Sequence, residues 1–316
     1  MTKKIKKKAV SAILTMAFIS ISTAIPVKAA TPPTTVQMSS TYTYDEMNMD
    51  IAELCALYPG IVSSGSIGTT VQGRSIPLVI LGNPAAPHSI MIQASIHGRE
   101  YIVSQTTMAT VEYYARQFSA GNCQDVLSST CFYIVPMANP DGVTIAQSSA
   151  PEWKANANGI DLNRNFPVGW EMTKGSSAPG AANFKGYSPA SEPETIALMS
   201  LATARDYSCY INYHQQGNII YYDDDLTSSV TSALSTILAA TVKNINRYPM
   251  VNTSGTNASG TTTYGGFGDF ILMGLQKPGI TVECGSAYGI RGQSQSSSIY
   301  SRNADTWAAA ARLFAQ

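Results

Sequence analysis

Three residues of this chain have the types and spacing of a metal site. His97 and Glu100 lie three residues apart in the segment His-Gly-Arg-Glu, directly after the predicted strand 89–96, and His214 ends the predicted strand 209–214. Open α/β sheets place their functional sites at the carboxyl ends of the strands, so both segments can reach one point. Two histidines and one glutamate, with a fourth position open to water, form a recurrent catalytic zinc set. The sequence therefore predicts one zinc ion held by these three side chains.

Each candidate ligand also has an ordinary explanation. His97 could be a turn histidine bonded to the backbone, and His214 could be a core histidine satisfied by its neighbours. A histidine-x-x-glutamate pair alone is weak evidence for a metal. The sequence has only three histidines and no Gly-x-Ser-x-Gly segment, and the third, His88, follows Pro87 in a predicted loop. No histidine is therefore left for a serine-hydrolase triad.

Hydrophobic periodicity and capping signals predict the elements that position these residues. Thr43 and Glu46 form a capping box before a helix that stops at Pro59, and Ser191 and Glu194 form a second one. Further helices are predicted over residues 100–118, 191–205, 227–247 and 301–314. Strands are predicted over residues 76–81, 89–96, 131–136, 209–214, 219–222 and 280–283. This alternation predicts an α/β fold: a single domain with a mixed, mostly parallel twisted sheet of about eight strands and helices on both faces.

The first 29 residues have the composition of a secretory signal peptide. Five lysines in the first eight residues precede the apolar stretch 9–26, and Val27 and Ala29 are small residues where a signal peptidase inspects the chain. The alternative, a membrane anchor, fits less well because Ser, Thr and Pro interrupt the stretch. We expect residues 1–29 to be removed, residues 30–316 to form the functional domain, and the mature protein to be secreted with no membrane association.

Charge and cysteine content exclude two other kinds of site. Six of the 20 basic residues lie in residues 1–29, so residues 30–316 carry 14 basic against 20 acidic side chains. A nucleic-acid-binding protein needs a basic surface, so we expect no nucleic-acid partner. We also expect the protein to be a monomer. No two of the five cysteines have the close spacing of a cysteine zinc site. Cys123 and Cys131 flank a short loop and could pair in an oxidising exterior.

Five motifs extend the pattern along the whole chain after residue 30. They are His97-Gly-Arg-Glu100, Asn139-Pro-Asp-Gly142, Asp161-Leu-Asn-Arg-Asn-Phe-Pro167, His214-Gln-Gln-Gly217 and Thr281-Val-Glu-Cys-Gly285. In order and approximate spacing they resemble the zinc carboxypeptidase family, which makes residues 30–316 a catalytic domain of that type. Segments 153–166 and 214–222 resemble its bacterial branch, which includes γ-D-glutamyl-diaminopimelate peptidases of cell-wall metabolism.

The resemblance implies catalytic roles that are also physically reasonable. Glu283 would be the general base that takes a proton from the attacking water and later delivers it to the leaving amine. Asp161 would accept the second ring N–H of His97 and so fix the tautomer of that ligand. The zinc ion is the one cofactor that the resemblance implies.

The resemblance also assigns substrate contacts. Arg164 and Asn163 would bind the terminal carboxylate of a peptide, because a planar guanidinium matches a carboxylate well. Arg99 resembles a residue that holds the substrate backbone. Gly268 corresponds to the floor of the specificity pocket, where an acidic residue selects basic side chains and a bulky aliphatic one selects apolar side chains. Glycine supplies neither charge nor bulk, so the pocket is expected to accept a long polar side chain such as that of diaminopimelate.

Two positions depart from the family pattern. Lys154 stands near the position where digestive members carry an arginine that polarises the scissile carbonyl, and a lysine can do this only as a point charge. The family's mobile pocket tyrosine falls near Thr261, and Tyr264 is the closest tyrosine. We therefore assign Lys154 and Tyr264 to these catalytic roles as hypotheses.

Together these features predict a secreted zinc metallopeptidase that cleaves beside a free C-terminal carboxylate in peptidoglycan stem peptides, at the γ-D-glutamyl-diaminopimelate bond. A general metallocarboxypeptidase acting on ordinary peptides is the alternative within the family. A non-catalytic, zinc-containing cell-wall-binding relative is the alternative of another class. Such a relative would have lost Glu283 or a metal ligand, and this chain keeps them all.

Overall fold

A computed structural model of the protein describes residues 30–38, 41–224, 226–252 and 263–316. The predicted signal peptide, residues 1–29, lies outside the described residues, as does Thr261. Among the helices of the described ranges, none is both long and apolar enough to cross a membrane.

An eight-stranded mixed sheet forms the centre of a single domain. Its strands are β1 Val62–Thr69, β2 Ser75–Leu81, β3 His88–Ala94, β4 Thr130–Val135, β5 Cys209–His214, β6 Ile219–Tyr221, β7 Met250–Val251 and β8 Gly279–Glu283. Their order in space is β1-β2-β4-β3-β5-β8-β6-β7. The pairs β4–β3, β3–β5, β5–β8 and β6–β7 are parallel. The pairs β1–β2, β2–β4 and β6–β8 are antiparallel, so the predicted fold class is confirmed.

Helices cover both faces of this sheet. They are α1 Tyr44–Leu57, α2 Ile102–Ser119, α3 Gln124–Ser129, α4 Pro140–Ser148, α5 Pro193–Thr203, α6 Ser229–Asn246, α7 Phe267–Asp269, α8 Gly289–Gly292, α9 Ser296–Asn303 and α10 Thr306–Phe314. One core contains Ile92 of β3 together with residues of α2 and α10. The other contains Met91, on the opposite face of β3, together with Leu198 of α5 and Phe267 of α7. Successive residues of a strand point to opposite faces, which is why β3 serves both cores.

Two predicted boundaries have different outcomes. Helix α1 begins as predicted, because the Thr43 hydroxyl accepts from the backbone N–H of Glu46 and the Glu46 carboxylate accepts from the N–H of Thr43. Strand β3 ends at Ala94 rather than directly at His97. Ser95 has a φ of +52°, a left-handed conformation that ends the extended strand. A short loop therefore carries the chain from the sheet to His97.

The predicted capping box at Ser191 and Glu194 is wrong. Helix α5 begins after Glu192, and the Glu192 side chain makes no capping hydrogen bond. The carboxylates of Glu192 and Glu194 instead accept hydrogen bonds from the side-chain amide of Asn156, at 2.7 Å and 3.2 Å. A long-range contact with the loop before the Asp161 motif thus replaces the local cap.

Three further expectations are corrected. The last predicted helix, residues 301–314, is two consecutive helices, α9 and α10. His88 is the first residue of strand β3 rather than part of a loop. All five cysteines lie within the described residues and are free thiols. Cys123 and Cys131 do not pair, because Cys131 is buried in one core and Cys123 packs against the other.

Candidate active site

A close backbone contact positions the His-Gly-Arg-Glu segment. It forms a short 3₁₀ turn, Gly98–Glu100, before helix α2, which begins two residues later than predicted. A Cβ atom at Gly98 would lie 2.3 Å from the carbonyl oxygen of Gly142, so only glycine fits there. Asn139 holds this contact, because its side-chain oxygen accepts from the N–H of Gly142 at 2.9 Å and its NH₂ group donates to two backbone carbonyls. The two glycine-containing motifs are therefore one structural unit.

His97, Glu100 and His214 converge on one point. The two carboxylate oxygens of Glu100 each face one imidazole: Oε1 lies 2.7 Å from Nδ1 of His97, and Oε2 lies 2.9 Å from Nδ1 of His214. All three side chains are buried, and their candidate ligand atoms lie within 4.8 Å of one another. Two imidazole nitrogens and one carboxylate oxygen are donors that suit zinc, so this set fits the predicted ion.

The electrostatics of this set favour a bound cation. Burial alone would raise the pKa of Glu100, but the charges and hydrogen bonds of His97 and His214 hold it well below its usual range. Burial alone would lower the pKa of His214, but Glu100 raises it. A buried carboxylate between two imidazoles attracts positive charge, whether as protons or as a metal ion. Metal binding should therefore release protons and weaken at low pH.

A carboxylate and an ammonium support His97 through its second ring nitrogen, Nε2. Nε2 of His97 lies 3.1 Å from Oδ1 of Asp161, and Nζ of Lys154 donates to Oδ2 of Asp161 at 2.5 Å. Burial alone would raise the pKa of Asp161, but Lys154 and then His97 hold it well below its usual range. Asp161 is therefore ionised and can accept the second ring N–H of His97, which leaves Nδ1 free to bind a metal. Lys154 supports this carboxylate, and its role at the scissile carbonyl stays a prediction.

Strand β8 places Glu283 beside the metal set. Glu283 is the register partner of His214 in the parallel β5–β8 pair. Its Oε2 atom is buried and has no hydrogen-bond partner among the described residues. Burial raises the pKa of Glu283 to about 7, and the charge of His214 opposes this rise. A carboxyl group with a pKa near the working pH and an unused oxygen next to a metal site has the properties of a general base.

The Asn163–Arg164 segment is attached to helix α7. Oδ1 of Asn163 accepts from the N–H of Phe267 at 2.9 Å. Nη1 of Arg164 donates to the carbonyl of Asn163 at 2.6 Å, whereas its Nε is buried without a partner among the described residues. The guanidinium lies close enough to Glu283 and Asp161 for its charge to act on both. A fixed guanidinium with an unused donor beside the metal set can bind a carboxylate.

Strands β5 and β8 form a polar wall next to Gly268. Asn212 and Thr281 are register partners two residues before His214 and Glu283, so all four side chains point to one face. Nδ2 of Asn212 donates to Oγ1 of Thr281 at 3.2 Å. Oδ1 of Asn212 is buried, with no hydrogen-bond partner in the described ranges. Among the described residues, a Cβ at Gly268 would meet Oγ1 of Thr281 alone, at 3.3 Å, so within this part of the chain Gly268 borders open space with a polar wall.

Sequence reasoning missed Asn212 and Tyr221. Tyr221 pairs with Thr281 across the antiparallel β6–β8 pair and is a diagonal neighbour of Glu283 on the same face. Burial raises the pKa of Tyr221, and the charge of Glu283 adds to this rise. The sequence carried a weak signal for both residues, since each is a polar side chain within an apolar strand pattern. Their place beside the site depends on strand register, which no local pattern reveals.

Tyr264 is buried beside a glycine turn. A Cβ at Gly169 would lie 2.4 Å from the Cβ of Tyr264, and Gly169 has a left-handed φ of +71°, so glycine is required there. The carbonyl of Tyr264 accepts from the Thr173 hydroxyl at 2.6 Å. These contacts fix its backbone, and its catalytic role stays a prediction.

Comparisons with known proteins agree with this geometry. The zinc carboxypeptidase family matches residues 47–312. The chain belongs to this family. The gamma-D-glutamyl-L-diamino acid endopeptidase 1 of Lysinibacillus sphaericus is 28% identical over 276 residues, which cover 78% of this chain and 66% of that enzyme.

Two solved structures illustrate the likeness of fold. Carboxypeptidase A from Helicoverpa armigera has a TM-score of 0.74 at 20% identity, covering 99% of this chain and 81% of that one. Murein-tripeptide amidase MpaA from Escherichia coli O157 has a TM-score of 0.53 at 25% identity, covering 84% of this chain and 95% of that one. As a zinc carboxypeptidase, this chain is a peptide hydrolase that uses one zinc ion. His97, Glu100 and His214 are the described residues that fit the ion, which supplies Lewis-acid polarisation of the reacting oxygen atoms when bound.

Proposed function

We propose that this zinc carboxypeptidase is a secreted enzyme that hydrolyses peptidoglycan stem peptides between a γ-linked D-glutamyl residue and diaminopimelate. The observation that carries this proposal is the unused Oδ1 acceptor of Asn212 in the polar wall beside Gly268. The distal amino-acid group of diaminopimelate has N–H donors for this acceptor. An apolar side chain would leave it buried and unpaired, at a cost of about 1–3 kcal/mol.

Two further observations support the same substrate. Asp269, next to Gly268 in the chain, is half-buried, and its Oδ2 accepts from the N–H of Gly266 at 2.8 Å. Desolvation raises the pKa of Asp269 to about 7, with the charge of Asp224 adding to the rise. Negative charge near the Gly268 turn favours an ammonium group in the substrate. Two similar proteins, a gamma-D-glutamyl-L-diamino acid endopeptidase and a murein-tripeptide amidase, have names that indicate the same chemistry.

The proposed reaction gives each site residue a task. Arg164 and Asn163 bind the terminal carboxylate of the substrate and so place the scissile bond beside Glu283. Glu283 takes a proton from the attacking water and delivers it to the amine that leaves. Asp161, held ionised by Lys154, keeps the His97 ring in its ligating orientation. Retention of Glu283 and all three ligands argues against a non-catalytic wall-binding protein.

A substrate panel tests the proposed specificity. We expect L-Ala-γ-D-Glu-meso-diaminopimelate to have a higher kcat/KM than blocked dipeptides ending in Phe, Leu, Arg, Lys or Glu. Asn212→Leu keeps the side-chain volume but removes the acceptor. It should lower kcat/KM for the diaminopimelate peptide by about tenfold and change kcat/KM for a peptide ending in Ala little. A tenfold advantage for any ordinary dipeptide in the wild-type enzyme would instead indicate a general metallocarboxypeptidase.

The carboxylate clamp makes a separate prediction. Arg164→Ala should lower kcat/KM far more for a peptide with a free C-terminal carboxylate than for its C-terminal amide, because only the carboxylate forms a charge-assisted pair with the guanidinium. Kinetics on the matched acid and amide measure this difference. An equal loss on both peptides would show that Arg164 does not bind the terminal carboxylate. Lys174→Ala, a change in an exposed cation, serves as the control.

Secretion is tested by the N-terminal sequence. Protein purified from culture medium after expression of the full chain should begin at Ala30, because cleavage after Ala29 removes the basic and apolar segments together. N-terminal sequencing or intact mass measures this directly. Recovery from the medium with Met1 retained would contradict the proposed signal peptide.

A further inference from the structure

A cavity apart from the polar wall at Gly268 lies next to the metal set. Its volume is about 320 Å³, and its lining includes Arg99, Trp153, Lys154, Asp161 and Asn183. Through Asp161 it adjoins His97, whose Nε2 atom lies 3.1 Å from Oδ1 of the same carboxylate. None of the pocket and clamp residues described above, at positions 163, 164, 212, 268 and 281, lines it. A substrate held by its terminal carboxylate can therefore place the residue on the other side of the scissile bond here.

Arg99 is fixed at this cavity and, within the described part of the chain, has one unused donor, its Nε. The carbon of its guanidinium lies 4.3 Å from the centre of the Tyr288 ring, a stacking contact that fixes the plane of the group. Nη1 donates to the carbonyl of Glu152 at 3.4 Å. Nε is buried and has no hydrogen-bond partner among the described residues. A guanidinium fixed in this way loses little entropy when it binds an anion.

The carboxylates near Arg99 already have other partners. The Glu152 carboxylate accepts from the Tyr288 hydroxyl at 2.6 Å and from Arg291 at 2.5 Å, whereas it lies 3.9 Å from Nη1 of Arg99. Asp161 is shared between His97 and Lys154. The cavity therefore has a cation whose charge is only weakly compensated, and an anionic group is the ligand that would complete it.

The γ-linked glutamyl residue of the proposed substrate carries such an anionic group. In a γ-linked glutamyl residue the side-chain carboxyl forms the scissile bond, and the α-carboxylate stays free three carbons from the scissile carbonyl. An ordinary α-linked residue has a neutral peptide bond on its backbone instead. The γ-linkage therefore places a negative charge on the residue next to the leaving diamino acid.

We propose that Arg99 binds this free α-carboxylate, so that the enzyme selects γ-linked acidic residues with an unmodified α-carboxylate. This inference rests on the proposed function and goes beyond the backbone contact that the family resemblance implies for Arg99. The α-carboxamide form of the same peptide should be a poor substrate, although the carboxamide and carboxylate peptides differ only in charge and hydrogen bonding at one group.

The test uses L-Ala-γ-D-Glu-meso-diaminopimelate and its α-carboxamide, with kcat/KM measured for both at equal zinc content. Wild-type enzyme should prefer the carboxylate by on the order of ten- to a hundredfold. Arg99→Gln should bring this ratio close to one, mainly by slowing the carboxylate substrate, and Arg99→Lys should restore part of it. The control Arg302→Gln removes a guanidinium that also lies over a tyrosine ring, that of Tyr248, and should leave the ratio unchanged.

The outcomes separate this inference from the proposed function. If wild-type enzyme cleaves both peptides equally well, or if Arg99→Gln slows both by the same factor, the α-carboxylate contact is wrong while the stem-peptide assignment stands. If neither peptide is cleaved but ordinary dipeptides are, the proposed function fails and the Arg99 inference fails with it.

Discussion

Replacing His214 by alanine should abolish peptidase activity together with zinc binding. A site of three protein ligands loses a third of its donors, and the buried Glu100 then faces only one imidazole. We expect less than about one tenth of the wild-type zinc occupancy and a rate near background, typical of losing a catalytic metal. Zinc content by mass spectrometry and a peptide-cleavage assay on the same sample measure both effects.

The third histidine provides a matched control for this experiment. His88 begins strand β3, whereas His97 follows the other end of that strand, so His88→Ala should keep both zinc and activity. His97→Ala and Glu100→Ala should behave like His214→Ala. Full zinc occupancy in His214→Ala would remove that residue from the ligand set.

Glu283→Gln should keep the zinc but lose a factor of about 10² or more in kcat, as expected for a missing general base. The amide is nearly isosteric with the carboxylate and leaves His97, Glu100 and His214 untouched. Burial raises the pKa of Glu283 to about 7, so the wild-type rate should fall as the pH drops and the base becomes protonated. The charge of a nearby divalent cation favours the carboxylate and moves this fall to lower pH.

The pH profile distinguishes a lost base from a distorted site. In Glu283→Gln the residual rate should no longer show the acidic fall that belongs to this carboxyl group. Glu171→Gln, a change in an exposed carboxylate, is the control and should keep the wild-type profile. Turnover close to the wild-type rate in Glu283→Gln would place the base elsewhere.

His97 and Glu100 could be predicted from short-range spacing, because they belong to one turn, and His214 because it ends an apolar strand. Glu283 was identified through the family resemblance, since its place beside His214 depends on the pairing of β5 with β8. The N-cap at Thr43 was predictable from short-range spacing, since the bonds of a capping box join residues three apart.

Other features depend on contacts between distant segments. Strand β1 lies at the sheet edge beside β2, and its sequence is rich in Ser and Gly and has no apolar alternation. Glu194 seemed part of a local cap, but Asn156 engages it from a distant loop. The polar wall at Asn212 follows from strand register. Helix α4 carried a local signal that the prediction did not use, Asn139 before a proline at the first helical position.

The most direct test of the central claim is the zinc content of the purified wild-type enzyme, measured together with its activity before and after chelation. We expect about one zinc per chain, loss of peptide cleavage when 1,10-phenanthroline removes the metal, and recovery on adding one equivalent of Zn²⁺. Cleavage at the wild-type rate by protein shown to be free of zinc and other divalent metals would contradict the assignment of a zinc peptidase site to His97, Glu100 and His214.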